Sequence, residues 1–391
     1  MMSTVVPCNR QHKINAPSRV ILPDELILEI LSMLNVKSLM QLKCVSKSWN
    51  SIISDSFFVK LHLDKSSRIP HIILFSSHNI KNCIFPIFPI PRLIESPSID
   101  LFTKAYQHES VKKGHPNIIG SCNGLICLFS SLDNDFFLWN PATRKHSRIL
   151  GCISHCFQHP NSFFKFSFGY DHSTHKYKLL AFRYPFKEVR LFTFGGNDWK
   201  NIQFLSAYPY HGFYNYGVYL NNSLTWFALL SDNDIYDHDF NVEQFVIVSL
   251  DLGTETCTQF PFPKGFYEEL SDMPTVCKLM DSLCFSYCSK ELDFVIWQMI
   301  KFGVETSWTK LLKFNYLGVG LVGCSIVGVS LLPLHEFQNG DIVILETKDG
   351  QLIRYNRRNH RVVGKTTITQ NTSSGLWAIP HVESLVSICQ K

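Results

Sequence analysis

The chain of 391 residues is notable first for what it lacks. Met1–Pro17 contains Asn9, Arg10, Gln11, His12 and Lys13 but no apolar h-region, so the start does not resemble a signal peptide. The 13 cysteines show no short repeated spacing, which argues against a disulfide-stapled secreted scaffold. Free, mostly buried thiols in a reducing compartment are expected, with the cytoplasm, the nucleus or both as the location. The sequons at Asn221 and Asn371 then carry no glycan. A net charge of +5 is mild for this length and gives no electrostatic argument for nucleic acid as a partner.

Catalytic signatures are also missing. There is no Gly-x-Ser-x-Gly elbow, no His-Glu-x-x-His and no glycine-rich phosphate loop of the required spacing. Asp171, Asp251, Asp341 and Asp349 stand in turn contexts, where a carboxylate stabilises the turn itself. Cys152, His155, Cys156 and His159 have metal-ligand chemistry, but their spacing matches no zinc module. Four ligands on one short helix also cannot easily surround one ion. No metal or cofactor is assigned. The uncharged run Leu317–Leu334 approaches the length of a membrane span, yet it holds four glycines, two serines and Pro333 and has no basic flank. Two buried strands joined by a glycine-containing turn fit it better, and no membrane partner is expected.

What is present divides into two unlike parts. A hydrophobic content of 45% with 18% charged residues indicates a folded chain, and 31 phenylalanines suit a β-rich core. Residues 1–19 are polar and read as a disordered tail. From 20 to 63 the pattern is helical. Pro23 suits a first helical position, with Asp24 and Glu25 in the first turn, and Leu26, Ile27, Ile30, Leu31 and Leu34 recur at helical spacing. A second helix is expected from Ser38, with Gln41 completing a capping box and Leu39, Leu42, Val45 and Trp49 on its apolar face. A third, after Asp55, carries Phe57, Phe58 and Leu61. Three helices in about forty residues are too little chain to bury a good core alone. The module is therefore expected to leave apolar surface for a partner.

Residues 64–391 read as strands and turns. Pro86, Pro89, Pro91 and Pro97 preclude long helices early in this part. From Gly120 a unit recurs. Its first hairpin appears at Ser121–Cys127, Gly217–Trp226, Leu279–Phe285 and Glu346–Leu352, and its second at Phe137–Arg144, Leu191–Trp199, Val248–Thr256, Gln298–Trp308 and Leu352–His360. Asn-Gly and Asp-Gly favour tight hairpins because both central positions tolerate positive φ. Second hairpins start roughly 50–60 residues apart, close to the kelch-type period of about 50. Short strands repeated at that period favour an all-β, kelch-like propeller over a sandwich. Five units are visible between Gly120 and Thr369. The leftover strands Ile69–Phe75 and Val382–Ile388 are expected to pair as a sixth blade, which hides the exposed sheet edges.

Trp139, Trp199, Trp226 and Trp308 fall near corresponding places in the repeats and read as inter-blade packing. Arg354, Arg357, Arg358, His360 and Arg361 around Tyr355 read as a solvated hairpin face rather than an anion-binding patch. The acidic insertion Ser231–Gln244, with Asp232, Asp234, Asp237, Asp239 and Glu243, is the candidate target-recognition loop, against the plainer reading of a solvated loop.

Both parts carry a resemblance. Leu22-Pro23-Asp24-Glu25-Leu26, Glu29-Ile30-Leu31, Lys37-Ser38-Leu39 and Cys44-Val45-Ser46-Lys47-Ser48-Trp49 resemble the plant form of the F-box. Asn35 departs from it, standing where the plant pattern commonly has proline. Gly120-Ser121-Cys122-Asn123-Gly124-Leu125, Leu138–Arg144, Phe168–Asp171 with Tyr177-Lys178-Leu179, and Val382–Val386 are similar to the F-box-associated domain of plant F-box/kelch-repeat proteins. The resemblance implies a non-catalytic adaptor of a cullin-RING ubiquitin ligase. It docks on a Skp1-like protein, with Leu22, Pro23, Leu26, Ile30, Leu39, Val45 and Trp49 as the expected contacts, and holds an unknown target on the propeller. The rival is a carbohydrate-binding or enzymatic propeller with an incidental helical tail, which requires acids or a metal cluster converging from several blades. No such convergence is visible in the sequence.

Overall fold

Runs such as Leu125–Ser130 (LICLFS) and Phe245–Asp251 (FVIVSLD) are apolar at nearly every position and buried at nearly every position, the mark of strands covered on both faces. The computed structural model shows what covers them. It describes residues 22–66, 70–76, 84–101, 106–107, 116–153, 163–184, 188–196, 198–203, 208–209, 217–230, 245–263, 266, 270, 274–315, 318, 331–346, 350–369 and 376–388. The tail 1–19 lies outside them.

Four short helices come first: α1 (Asp24–Ser32), α2 (Val36–Leu42), α3 (Lys47–Ser54) and α4 (Ser56–Ser66). Six antiparallel blades follow, forming a six-bladed propeller. Blade 1 is built on Pro116–Cys122, Leu125–Ser130 and Asp135–Asn140, with the short strands Lys145–His146 and Gly151–Cys152 at its outer edge. Blade 2 runs through Phe163–Asp171, Lys176–Tyr184, Glu188–Thr193 and Trp199–Asn201. Blade 3 is formed by Val218–Leu220, Ser223–Leu229, Phe245–Asp251 and Cys257–Phe260. Blade 4 holds Thr275–Leu279, Ser282–Cys288, Asp293–Met299 and Trp308–Asn315. Blade 5 holds Leu331–Glu336, Asp341–Glu346, Gln351–Asn356 and Arg361–Thr369. The closing blade takes its inner strand, Leu376–His381, from the end of the chain and its outer strands, His71–Ser76 and Ile87–Pro89, from just after the helices.

The first strand of each blade and Leu376–His381 touch one another in a ring. Each gap between neighbouring blades is filled by its own apolar cluster. The closing blade shows how period-2 alternation builds two such gaps at once. Ile72 and Leu74 pack with Val343, Leu345 and Leu352 of blade 5, while Ile73 and Phe75 pack with Ile118, Ile126 and Leu128 of blade 1. A second closure adds to the first. Ser98–Asp100 pairs in parallel with Arg361–Thr369 at the outer edge of blade 5, where the Thr366 hydroxyl donates to the carbonyls of Leu93 and Ser96.

The ring thus closes as expected in kind but not in register. His71–Ser76 pairs with Leu376–His381, and Val382–Ile388 forms no strand. A second register correction falls in blade 5. Its first hairpin turns at Phe337–Gly340, so Glu346–Leu352 joins the second and third strands and is not the counterpart of Ser121–Cys127. Asn339-Gly340 and Asp349-Gly350 carry the same turn chemistry, which is why one hairpin passes for the other. Of the apolar run Leu317–Leu334, the described end, Leu331–Leu334, is a strand. Among the described residues no helix is long and apolar enough to cross a membrane.

The tryptophans pack between blades, as their positions suggest. Trp139 fills the gap between the closing blade and blade 1, and Trp226 the gap between blades 2 and 3. Trp199 and Trp308 also bond across their gaps. The Trp199 indole N–H donates to the Cys152 carbonyl at 3.2 Å and that of Trp308 to the Pro261 carbonyl at 3.1 Å, each reaching back 47 residues.

Candidate functional site

The helical module is built by its caps. Asn35 caps α2, its side-chain oxygen accepting from the Ser38 N–H at 2.8 Å, and Ser46 caps α3 in the same way through the Trp49 N–H at 3.1 Å. Asp55 caps α4 by accepting from the N–H groups of Phe57 and Phe58. The helix expected from Ser38 through Trp49 is therefore two helices. Its start is set by Asn35 rather than Ser38, and Ser46 begins the second. The departure at Asn35 from the F-box pattern has a structural use, because asparagine supplies a cap that proline cannot.

Inside the module, Leu31, Val36, Leu39, Ile53 and Phe58 form the core, with Ile27, Leu28, Leu34 and Trp49 packed at its edge. His62 ties α4 to the end of α1. Its Nε2–H donates to the Leu34 carbonyl at 2.8 Å and its Nδ1 accepts from the Ser66 hydroxyl at 3.2 Å. Burial holds this imidazole below its ordinary pKa, and the Leu34 carbonyl and Glu383 counter that effect only in part. Lys65 Nζ donates to the Ser32 hydroxyl at 2.7 Å, a further bond between the two helices.

The other side of α1 is apolar without being covered. Leu26, Ile30 and Met33 are spaced by four and three residues, so they form one stripe, Leu22 precedes it just before the helix, and each of the four is between 47% and 67% exposed. Val45, in the turn between α2 and α3, and Phe57, at the start of α4, are exposed as well. Covering the exposed half of such a side chain with a partner contributes about 1 kcal/mol, roughly half the value for full burial. Of the residues expected to face a partner, Leu22, Pro23, Leu26, Ile30 and Val45 lie on the exposed surface. Leu39 does not: it is 0% exposed and belongs to the module's own core. Trp49 is half-buried at the edge of that core. Met33 and Phe57 were not anticipated from sequence; for Met33, the spacing from Leu26 and Ile30 was the available signal.

On the propeller, two groups of polar residues prove structural. Lys178 Nζ lies 2.9 Å from both Asp171 Oδ2 and Glu255 Oε1, joining blade 2 to the turn of blade 3, and Glu255 also pairs with Lys200. Asp171 further accepts from the Ser173 N–H and from the hydroxyls of Ser173 and Thr174. In the basic run of blade 5, Arg357 pairs with Glu336 at 2.8 Å and Arg354 lies 3.8 Å from Asp341, leaving Arg358, His360 and Arg361 exposed. The acidic loop with Asp232, Asp234, Asp237 and Asp239 lies outside the described residues. So do His155, Cys156 and His159, and among the described residues no cluster of three or more His, Cys, Asp or Glu is arranged to hold a metal ion. The strands that flank the acidic loop, Ser223–Leu229 and Phe245–Asp251, meet it at the end of blade 3 opposite the Asn221–Asn222 turn.

Comparison with known proteins matches both parts. A family described as "F-box associated beta propeller domain" matches residues 71–388, and one described as "F-box-like" matches residues 20–64. An F-box/kelch-repeat protein of Arabidopsis thaliana is 27% identical over 361 residues, covering 87% of this chain and 89% of that protein. A putative F-box protein of the same plant is 31% identical over 251 residues, 61% of this chain and 58% of that protein. The F-box protein CPR1, also from Arabidopsis thaliana, is 25% identical over 320 residues, 74% of this chain and 72% of that protein.

Proposed function

The chain belongs to the family of F-box proteins with an associated β-propeller domain, and on that premise we propose that it is the target-recognising subunit of an SCF-type (Skp1–cullin–F-box) ubiquitin ligase. The helical module seats on a Skp1-type protein and the propeller holds a target protein. The observation that carries this reading is the uncovered stripe Leu26–Ile30–Met33 with Leu22 just before it, an apolar face that the module's own core does not use. A face of this kind, flanked by the exposed Glu25 and Glu29, suits a partner that supplies apolar helices. The adaptor makes and breaks no bond. It raises the effective concentration of target lysines near the ligase's charged ubiquitin carrier, a proximity effect.

The test is capture of a purified plant Skp1-type protein by the full chain and by a variant carrying Pro23→Ala and Leu26→Asp. Both positions are exposed, so the variant folds, melts as the parent does and loses capture. Retained capture by the variant removes the docking face from α1.

A further inference from the structure

We propose that the segment Val382–Ile388 is a two-sided clasp that fixes the F-box helices to the propeller, so that the two parts of the chain hold a single orientation. The clasp does not rest on the function proposed above.

The ring is broken at one place. His71 and His381 are paired neighbours at the same end of the closing blade, where another blade would have a hairpin turn. The helical module leads into His71 and the terminal segment leaves from His381, so both emerge from the break. Beyond His381 the chain continues without strand pairing, and its side chains divide between two sides as an extended chain requires. Ser384 is fully buried, and Val386 and Ile388 pack on the cluster between blades 1 and 2. Leu385 goes the other way. It is 6% exposed and belongs to the core of the helical module, with Leu31, Val36, Leu39, Ile53 and Phe58. Glu383 shares that side, 3.9 Å from His71 Nε2 and close enough to act on the His62 imidazole of α4.

Blade 1 is shaped to hold this segment. The Asn140 side-chain amide donates to the carbonyls of Ser384 at 3.1 Å and Val386 at 3.0 Å, two carbonyls that an extended chain points the same way. Its oxygen accepts from the N–H groups of Ala142 and Thr143, which fixes the turn that presents Ala142 to the module. Gly124 leaves room for the segment: at its φ of +77°, a Cβ would lie 2.3 Å from Ser384 Oγ and 2.9 Å from the Val382 carbonyl oxygen. At the equivalent turn of blade 3, Asp251 makes the same acceptor bonds to Gly253 and Thr254. Blade 1 has asparagine there, and only asparagine can also donate. A module too small to bury a core by itself thus completes it with a leucine from the far end of the chain, and the bond network that delivers the leucine is anchored in the propeller.

Hydrogen–deuterium exchange and small-angle X-ray scattering on the full chain test this, comparing the parent with Leu385→Ala and, separately, Asn140→Asp. Asn140 lies outside the module's core, so the second variant separates undocking from a weakened helical core. In both variants the amides of α2 and α4 are expected to exchange at least tenfold faster. The strands Lys176–Tyr184 and Ser282–Cys288 keep their protection, and the maximum particle dimension grows. Unchanged exchange in α2 and α4 in both variants overturns the clasp. So does equal loss of protection in the blades, which makes the segment a part of propeller folding only. Capture of a Skp1-type protein by the parent chain is a separate readout, and its failure overturns the proposed function without moving these results.

Discussion

The side-chain amide of Asn140 donates to the carbonyl of Ser384 at 3.1 Å, across 244 positions of sequence. Through this bond and its twin to Val386, a hairpin turn in blade 1 holds the segment Val382–Ile388 against the helices of residues 24–66. Asn140→Asp keeps the shape and the acceptor bonds to Ala142 and Thr143 but turns the donor into a carboxylate facing two carbonyls. Because the side chain is fully buried, the change is expected to cost about 2–4 kcal/mol. Urea unfolding of parent and variant measures it, and a loss below about 0.5 kcal/mol would show the bonds to be incidental.

The Lys178 network predicts a pH dependence of definite sign. Burial raises the Asp171 carboxyl, but bonds from Ser173, Thr174 and Lys178 outweigh it and hold the group well below the usual range. Glu255 is likewise lowered, burial being outweighed by Lys200 and Lys178. Groups with depressed folded pKa values contribute stability that is complete above the ordinary carboxylate pKa of about 4 and fades as pH falls toward the folded values. Lys178 is shifted the opposite way. Burial lowers it, yet Glu255 and Asp171 leave it raised, so its share persists at neutral pH and is lost only as pH rises through its folded value. Melting curves from pH 3 to 7 are expected to show stability falling below about pH 4. Lys178→Met is expected to cost about 3–5 kcal/mol at neutral pH, since it strands a buried carboxylate, and to flatten the acid limb.

The two repeated indole bonds allow a matched pair of tests. Trp308→Phe keeps most of the ring's burial but leaves the Pro261 carbonyl without the indole donor, and Trp199→Phe does the same to the Cys152 carbonyl. Each change is expected to lower stability by about 1–3 kcal/mol, more than an ordinary surface substitution. Thermal melts check whether the two values agree. A cost at one site alone would mean that the bonds do not act as equivalent inter-blade ties.

Much of this architecture was legible in the residues because its signals are local. Asn123-Gly124 and the turn after Asn140 announce hairpins through their own backbone preferences, and the spacing of their counterparts announces the blade repeat. What was not legible depends on which of two similar local signals is used. Asn339-Gly340 and Asp349-Gly350 both announce a turn, and only the ring decides which one joins the first two strands of blade 5. Val382–Ile388 has the alternation of a strand, and the alternation is real, but its two sides face the helices and blade 1 instead of two neighbouring blades. Leu39 and Leu26 look equally apolar in sequence. Leu39 lies in the core because α2 turns it inward, whereas Leu26 lies on the surface because α1 carries two apolar stripes, and only one of them can face inward.

The most direct measurement is a calorimetric titration of the full chain with a purified plant Skp1-type protein, beside a variant carrying Leu26→Asp and Ile30→Asp. The docking stripe predicts saturable one-to-one binding by the parent, at least 100-fold weaker binding by the variant (about 2.7 kcal/mol) and unchanged melting of both. No binding by the parent, or equal binding by both, would contradict it.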